Sequence, residues 1–193
     1  MSTNSVTVCI PSIPSRSNLL ATRAIPSVLA QNFPASEIAV SIDRTGLGGW
    51  ANRNKTIEMA GSEWIAFLDD DDELLPNHLE LLVKASADSG ADVCWGWFDV
   101  VGGTDPFPQH RGRQWDPENP HIFPITALIR RSLVLDSGAT FKADPDNTGN
   151  WGVQDYPFWR SLSDAGGKFC AIHDTTWRWY HHENNTSGLP SRH

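Results

Sequence analysis

What the chain has little of narrows its identity first. Among its 193 residues only three are cysteine. Cys9, Cys94 and Cys170 are an odd number, widely spaced, each inside an apolar run. That excludes a disulfide framework and, with no Cys-x-x-Cys pair, a thiolate metal site, leaving three buried, reduced thiols as the expectation. No apolar stretch approaches the roughly 20 residues that a bilayer-spanning helix needs. The opening "MSTNSVTVCIPS" has neither the basic start nor the long apolar centre of a secretory signal, so the expected location is cytoplasmic. Positive charge is also scarce. Fifteen Lys and Arg face 23 Asp and Glu, a formal net charge of -8. Coating nucleic acid takes clustered cations against phosphates, so that class is excluded.

What is present suits a core. Hydrophobic residues make up 39% of the chain and nine are tryptophan, enough for one globular domain of this length. β-rich runs at 5–11 and 37–43 flank a helical stretch at 18–33 in which Pro26 predicts a kink. A glycine-rich loop then leads into a short helix, followed by a third, almost wholly apolar strand at 63–69. A helix follows from Pro76 to a stop at Gly90, with apolar residues at 79, 82 and 83, and then a strand at 91–101. Residues 102–120 read as a surface loop, 121–134 as strand then turn, 153–166 as a helix and 168–182 as a late strand. The strand, helix, strand rhythm predicts an α/β fold on a mostly parallel sheet flanked by helices.

One stretch resists a purely structural reading. "WIAFLDDDDELLP", residues 64–76, places four aspartates and a glutamate at the end of a buried strand. Crowded carboxylates repel each other, so folding alone does not favour them. In an open parallel sheet, ligands gather beyond the C-terminal strand ends, where these acids fall. On an extended segment Asp69 and Asp71 would point the same way, about 7 Å apart, so that one grips a cation and the other a neighbouring group. Their hard oxygens suit Mg²⁺ or Mn²⁺ rather than Zn²⁺. A calcium-binding helix-loop-helix is excluded, because Leu74 stands where the turn glycine is required and no helix precedes the loop. The competing reading is a solvated loop whose acids favour the N-terminus of the next helix.

Taken in order, "IPSIPSR" (10–16), Gln31, Asp43, Gly49 with "NRN" (52–54), "FLDDDDELLP" (67–76), "GVQDYPFWRSL" (152–162) and "YHHENNTS" (180–187) resemble the motifs of a family 2-type glycosyltransferase of the GT-A fold. The resemblance covers nearly the whole chain. It implies a single GT-A domain over residues 1–193, binding the nucleotide-sugar through about 1–101 and the acceptor side through about 102–193. It implies transfer of a sugar from a nucleotide-diphosphate donor, UDP favoured, to a hydroxyl acceptor, with Mn²⁺ or Mg²⁺ as cofactor and inversion at the anomeric carbon.

Residue roles follow from the same resemblance. Pro11, Ser12 and Arg16 would lie along the nucleotide, and Asp43 would take a hydrogen bond from the base. Arg53 and Asn54, at the start of a helix after a glycine loop, would meet the diphosphate. Asp69, with Asp70 beside it, would bind the ribose or nearby hydroxyls, Asp71 the metal, and His182 the metal's second anchor, with His181 as the alternative. Asp155 would be the catalytic base, although Gln154 replaces the family's usual Glu before it and leaves the acceptor contacts open. Trp151 and Gln154 would touch the acceptor, which could be a protein, a glycan or a small molecule; the lack of a membrane segment leans against a lipid.

Plainer readings stand beside these roles: a strand-to-helix turn for Pro11 and Ser12, an Asx turn for Asp43, a surface arginine for Arg53 and an N-cap acid for Asp155. Most of the tryptophans should be core. A sugar-1-phosphate nucleotidyltransferase would share the sheet and the acids. It generally has a glycine-rich basic loop after the first strand, and "PSIPSRSN" has no glycine. An inactive sugar-nucleotide binder would keep Asp69 and Asp71 but lose the base, and Asp155 is in the expected context.

Overall fold

A computed structural model of the chain describes residues 4–118, 125–143 and 154–181. The architecture is α/β, as the rhythm of the sequence implies. Seven strands form one sheet in the order β2-β1-β3-β6-β5-β7-β4. They are β1 (Val6–Ser12), β2 (Glu37–Ile42), β3 (Trp64–Phe67), β4 (Glu73–Leu74), β5 (Val93–Val101), β6 (Leu128–Arg130) and β7 (Phe169–Tyr180). β1 runs parallel to β2 and β3, and β5 parallel to β7, so most registered pairs are parallel. The short β6 runs against both its neighbours and joins the two parallel halves.

Alternation along the strands sorts the core into two layers. Val6, Val8 and Ile10 of β1, with Trp64, Ala66 and Leu68 around β3, face one side. There they meet the first helical stretch, α1 (17–29), and α3 (His78–Ser89), whose Leu79, Leu82 and Val83 are buried. Cys9, Ile65 and Phe67 point the opposite way. They pack against α2 (Gly49–Met59), α4 (Arg131–Ser137) and α5 (Tyr156–Asp164) through Ile57, Val134, Phe158 and Leu162. Phe158 and Phe141 stack with ring centroids 4.1 Å apart, and Phe67 meets Phe141 edge-on at 5.5 Å. Truncating Phe158, which is fully buried, to alanine would cost about 3–5 kcal/mol by the usual cavity penalty.

Three local features depart from the sequence reading. The expected kink at Pro26 takes the form of a π segment. α1 runs as Ser17–Leu19, a π turn Leu20–Ala24, then Ile25–Leu29, and the Ile25 N–H reaches back to the Leu20 carbonyl. Because Pro26 has no N–H to donate, the ladder widens just before it. The segment after β6, expected as a turn, is helix α4, closed by Gly138 in the left-handed conformation at φ 63°. The loop 102–118 lies on the surface but is firmly docked. Trp97 Nε1 donates to Asp105 at 2.6 Å, Arg111 to the His173 carbonyl at 2.9 Å, and Gln114 exchanges two hydrogen bonds with the Ala171 backbone. Those contacts fall where β7 carries extra residues against β5, so that Trp95 pairs with Ala171 but Trp97 with Thr175. Gly96 is required at this irregularity, since a Cβ there would lie 2.5 Å from Thr176 Oγ1.

The thiols are free, with Cys9 and Cys94 buried and Cys170 partly so. Burial pushes the Cys9 thiol up to about 12, so it is inert. No helix of the described residues is long and apolar enough to cross a membrane.

Candidate functional site

The site grows from the C-terminal ends of β1 and β3. Asp69–Asp72 is not extended: the chain turns there, with the Asp72 N–H donating to the Asp69 carbonyl at 3.2 Å. This corrects the extended geometry expected above, and the reason is that two-residue β4 must reverse onto β7 immediately afterwards. The turn fans the carboxylates out to different partners. Asp69 accepts from Arg53 Nη2 at 2.9 and 3.3 Å. Asp70 accepts from Ser12 Oγ at 2.6 Å and Arg16 Nη1 at 3.1 Å, and Asp71 Oδ2 lies 2.9 Å from the same Arg16 nitrogen. Asp72 Oδ1 accepts the Tyr180 N–H at 3.0 Å.

Burial dominates the electrostatics. It raises the Asp70 carboxyl, opposed by Ser12 and Arg16, and raises Asp72 well above the usual carboxylate range. Burial disfavours the Arg16 and Arg53 cations, yet the Asp71 and Asp70 carboxylates around the first, and Asp69 and Asp155 around the second, outweigh it and raise both.

Asp155 is brought to this cluster from 83 to 86 positions away in the sequence. It occupies the N-cap position of α5 but makes no side-chain capping bond, so the helix-cap reading does not account for it. Its Oδ1 is buried without a hydrogen-bond partner, 3.7 Å from Arg53 Nη1. Burial raises the carboxyl and Arg53 opposes that rise. A mostly buried carboxyl with a raised pKa, its side chain 25% exposed and set beside a guanidinium at a ligand-side strand end, has the attributes of a proton acceptor. Gln154 precedes it, half-buried, and its carbonyl accepts the Lys142 N–H at 3.3 Å.

Other candidates are engaged in building the site. Asp43 folds its own loop, accepting from the backbone N–H of Thr45, Gly46 and Gly48, each at 2.8 Å. Those bonds, Gly48 foremost, hold its carboxyl well below the usual range. This is the Asx-turn reading, and it leaves no oxygen of Asp43 without a partner in this structure. Asn54 braces the segment after α4, exchanging hydrogen bonds with the Phe141 backbone at 3.0 and 2.9 Å. The helix begins at Gly49, so Arg53 and Asn54 lie in its middle and not at its start as expected, and successive residues there point in different directions, Arg53 to Asp69 and Asn54 to Phe141. Pro11 lies buried in β1 beside Ser12. Trp151 and His182 lie outside the described residues, as does most of "HHENNTSG". Trp159 and Trp177 are buried in the core.

Several residues that sequence reasoning passed over hold the turn in place. Gln31, noted only as a motif position, donates to the Ser27 and Leu75 carbonyls and accepts the Leu79 N–H at 3.0 Å, tying α1 to the exit of the acid turn. Asn52 bridges β1 and β2, donating to the Ser12 carbonyl at 2.7 Å and accepting from Ser41 at 2.6 Å. Arg23 donates to the Asp71 carbonyl while its guanidinium stacks 3.6 Å over the Tyr180 ring, and Tyr180 donates to Glu73 at 2.8 Å. Pro26 was the sole sequence signal for that arrangement, since the π turn before it carries Arg23.

For a divalent ion the donor set is of the right kind, though shared. Among the described residues no three His, Cys, Asp or Glu side chains gather as a complete ligand set. The turn does present hard carboxylate oxygens, and five carboxylates (Asp69–Asp72 and Asp155) share the guanidiniums of Arg16, Arg23 and Arg53. That excess of carboxyl groups over guanidiniums fits a cation whose remaining positions are filled by oxygens of its ligand.

Comparison with known proteins bears on this arrangement. The sequence pattern of the family described as glycosyl transferase family 2 matches residues 21–143, a span holding Asp43, Arg53 and the acid turn but not Asp155. No curated protein sequence matches. Among solved structures, residues 1–349 of S. aureus TarS in complex with UDP-GlcNAc superpose with a TM-score of 0.75 at 16% identity, over 94% of this chain and 60% of that one. The same TarS fragment with UDP gives 0.69 at 17% identity, over 92% and 60%. Full TarS gives 0.72 at 17% identity, and there the match covers 37% of that chain. This chain therefore spans about three-fifths of the shorter TarS structures, and the likeness establishes the GT-A fold.

Proposed function

The chain belongs to glycosyl transferase family 2, and from that premise we propose that it moves a sugar from a nucleotide-diphosphate sugar, with a UDP-sugar favoured, to a hydroxyl acceptor, inverting the anomeric centre. The observation that carries the reading is the guanidinium of Arg53, 2.9 Å from Asp69 and 3.7 Å from Asp155. It brings the donor-side acid turn and a single uncapped carboxylate to one place. The UDP and UDP-GlcNAc bound by TarS support a UDP donor for the same fold.

In this reading Ser12, Arg16 and Asp69 line the donor, and Asp43 shapes the loop over the base. Asp71, with Asp69 near it and His182 of the C-terminal segment, would hold Mn²⁺ or Mg²⁺, which when bound offsets the charge of the leaving diphosphate. Asp155 accepts the proton of the acceptor hydroxyl as its oxygen attacks the anomeric carbon, and the bond to the diphosphate breaks on the opposite face. A single base opposite the leaving group gives inversion. Trp151 and Gln154 belong to the acceptor side.

The test pairs binding with chemistry. In thermal denaturation against UDP, GDP and dTDP with and without Mn²⁺ or Mg²⁺, a ligand at 100 times its Kd stabilises by about 2.7 kcal/mol. The expected result is a metal-dependent shift with UDP that survives in Asp155→Asn while sugar transfer falls about 10²–10⁴-fold. Undiminished transfer by Asp155→Asn refutes the assignment of the base. Absence of a shift with every nucleotide refutes the donor class.

A further inference from the structure

We propose that Arg16 is an internal place-holder for the metal: its guanidinium occupies the Asp71 carboxylate in the free protein, must be displaced when a divalent ion binds there, and so links metal binding to diphosphate binding. The inference rests on the reading above that Asp71 is a metal ligand.

The geometry is specific to Arg16. One nitrogen, Nη1, bridges Asp70 Oδ1 at 3.1 Å and Asp71 Oδ2 at 2.9 Å. Both carboxylates are almost wholly enclosed, with 3% and 7% side-chain exposure, whereas Arg16 keeps 26%. Buried carboxylates need a counter-charge, and in the free protein Arg16 supplies it. Nη1 lies 2.9 Å from Asp71 Oδ2, so a divalent ion ligated through that oxygen meets the guanidinium's positive charge at close range and drives it off. The other two arginines do not compete in this way. Arg23 holds the Asp71 carbonyl and the Tyr180 ring, and Arg53 holds Asp69.

Arg16 is also built to leave. It ends a single 3-10 turn, Pro14–Arg16, that contains no buried residue, so its side chain can swing away without opening the core. Asp70 stays in place meanwhile, held by Ser12 Oγ at 2.6 Å. Released at the open end of β1, the guanidinium needs a new anion, and a diphosphate bound there provides one with matching fork geometry. An ion arriving alone therefore breaks an ion pair without replacement. An ion arriving with a diphosphate exchanges one pair for another. The two ligands must then favour each other, and by linkage to the same extent in both directions.

The experiment measures Mn²⁺ binding to the full chain by calorimetry or by the electron spin resonance of free Mn²⁺, first without nucleotide and then with saturating UDP. It compares wild type with Arg16→Gln and Arg16→Lys, each shown to be folded by circular dichroism. The expected result is that Arg16→Gln binds Mn²⁺ about tenfold more tightly than wild type in the absence of nucleotide, and that the gain in Mn²⁺ affinity on adding UDP shrinks by a similar factor. Arg16→Lys, which keeps the charge but cannot present a fork, should fall between the two. If Mn²⁺ binds with UDP but neither variant gains affinity without it, the place-holder is overturned and the metal site stands. If Mn²⁺ binds to no form even with UDP, the metal reading itself fails and the inference falls with it.

Discussion

Replacing His78 with leucine should flatten the acid side of the stability curve. His78 opens α3 and is fully buried. Enclosure lowers its imidazole from 6.5 to about 3, opposed only by the neighbouring Thr176 backbone. The folded value lies below the unfolded one, so the unfolded chain takes up a proton that the folded chain refuses. The proton-linked cost is therefore absent above pH 6.5, and stability drains away as the pH falls from there toward 3. At 1.36 kcal/mol per unit, the gap amounts to roughly 5 kcal/mol in full, of which about 2 kcal/mol has accrued by pH 5. That is a large share of the 5–15 kcal/mol typical of a domain. Urea unfolding of wild type and His78→Leu at pH 7.5, 6 and 5 isolates this group, because every carboxylate is common to both proteins. The stability difference should move by about 2 kcal/mol in favour of the variant between pH 7.5 and 5. A difference that does not change with pH would refute the reasoning and mean that the imidazole finds a proton-stabilising partner in the folded state.

Two further outcomes follow from the scaffold of the site. Gln31→Ala strands the buried Leu79 N–H and takes from the Leu75 carbonyl one of its two donors, leaving the His78 N–H, and should lower stability in urea unfolding by about 2 kcal/mol; a loss under 1 kcal/mol would show that α1 does not tie down the acid turn. Arg53→Met removes the cation shared by Asp69 and Asp155. Combined with Asp155→Asn, it should show a coupling energy of about 1–2 kcal/mol in a double-mutant cycle, the usual range for contacting groups; strict additivity would mean that the 3.7 Å contact carries no energy.

Much of the fold was legible because burial writes itself into periodicity. The alternation in "VTVCI" separates Val6, Val8 and Ile10 from Cys9 across the sheet, and Leu79, Leu82 and Val83 line one face of α3. Leu128–Arg130 and Arg131–Ser137 were harder to read. A three-residue strand and a seven-residue helix are too short for a period to emerge, and an antiparallel partner leaves no mark on so brief an apolar run. The role of Arg23 was hidden for another reason: it donates to a backbone carbonyl, and every sequence contains those.

By itself the amino-acid sequence determined the α/β class, the family, and the gathering of acids at a strand end, because these follow from local pattern and motif order. The tertiary structure alone decided which charge meets which. Asp69–Asp72 are neighbours in the chain, yet the turn sends Asp69 to Arg53 and Asp71 to Arg16, and it is the packing of α5 on the sheet that brings Asp155 to the same guanidinium as Asp69. Ion pairing depends on ångström-scale distances between segments far apart in sequence, and those distances are set only when the whole core closes.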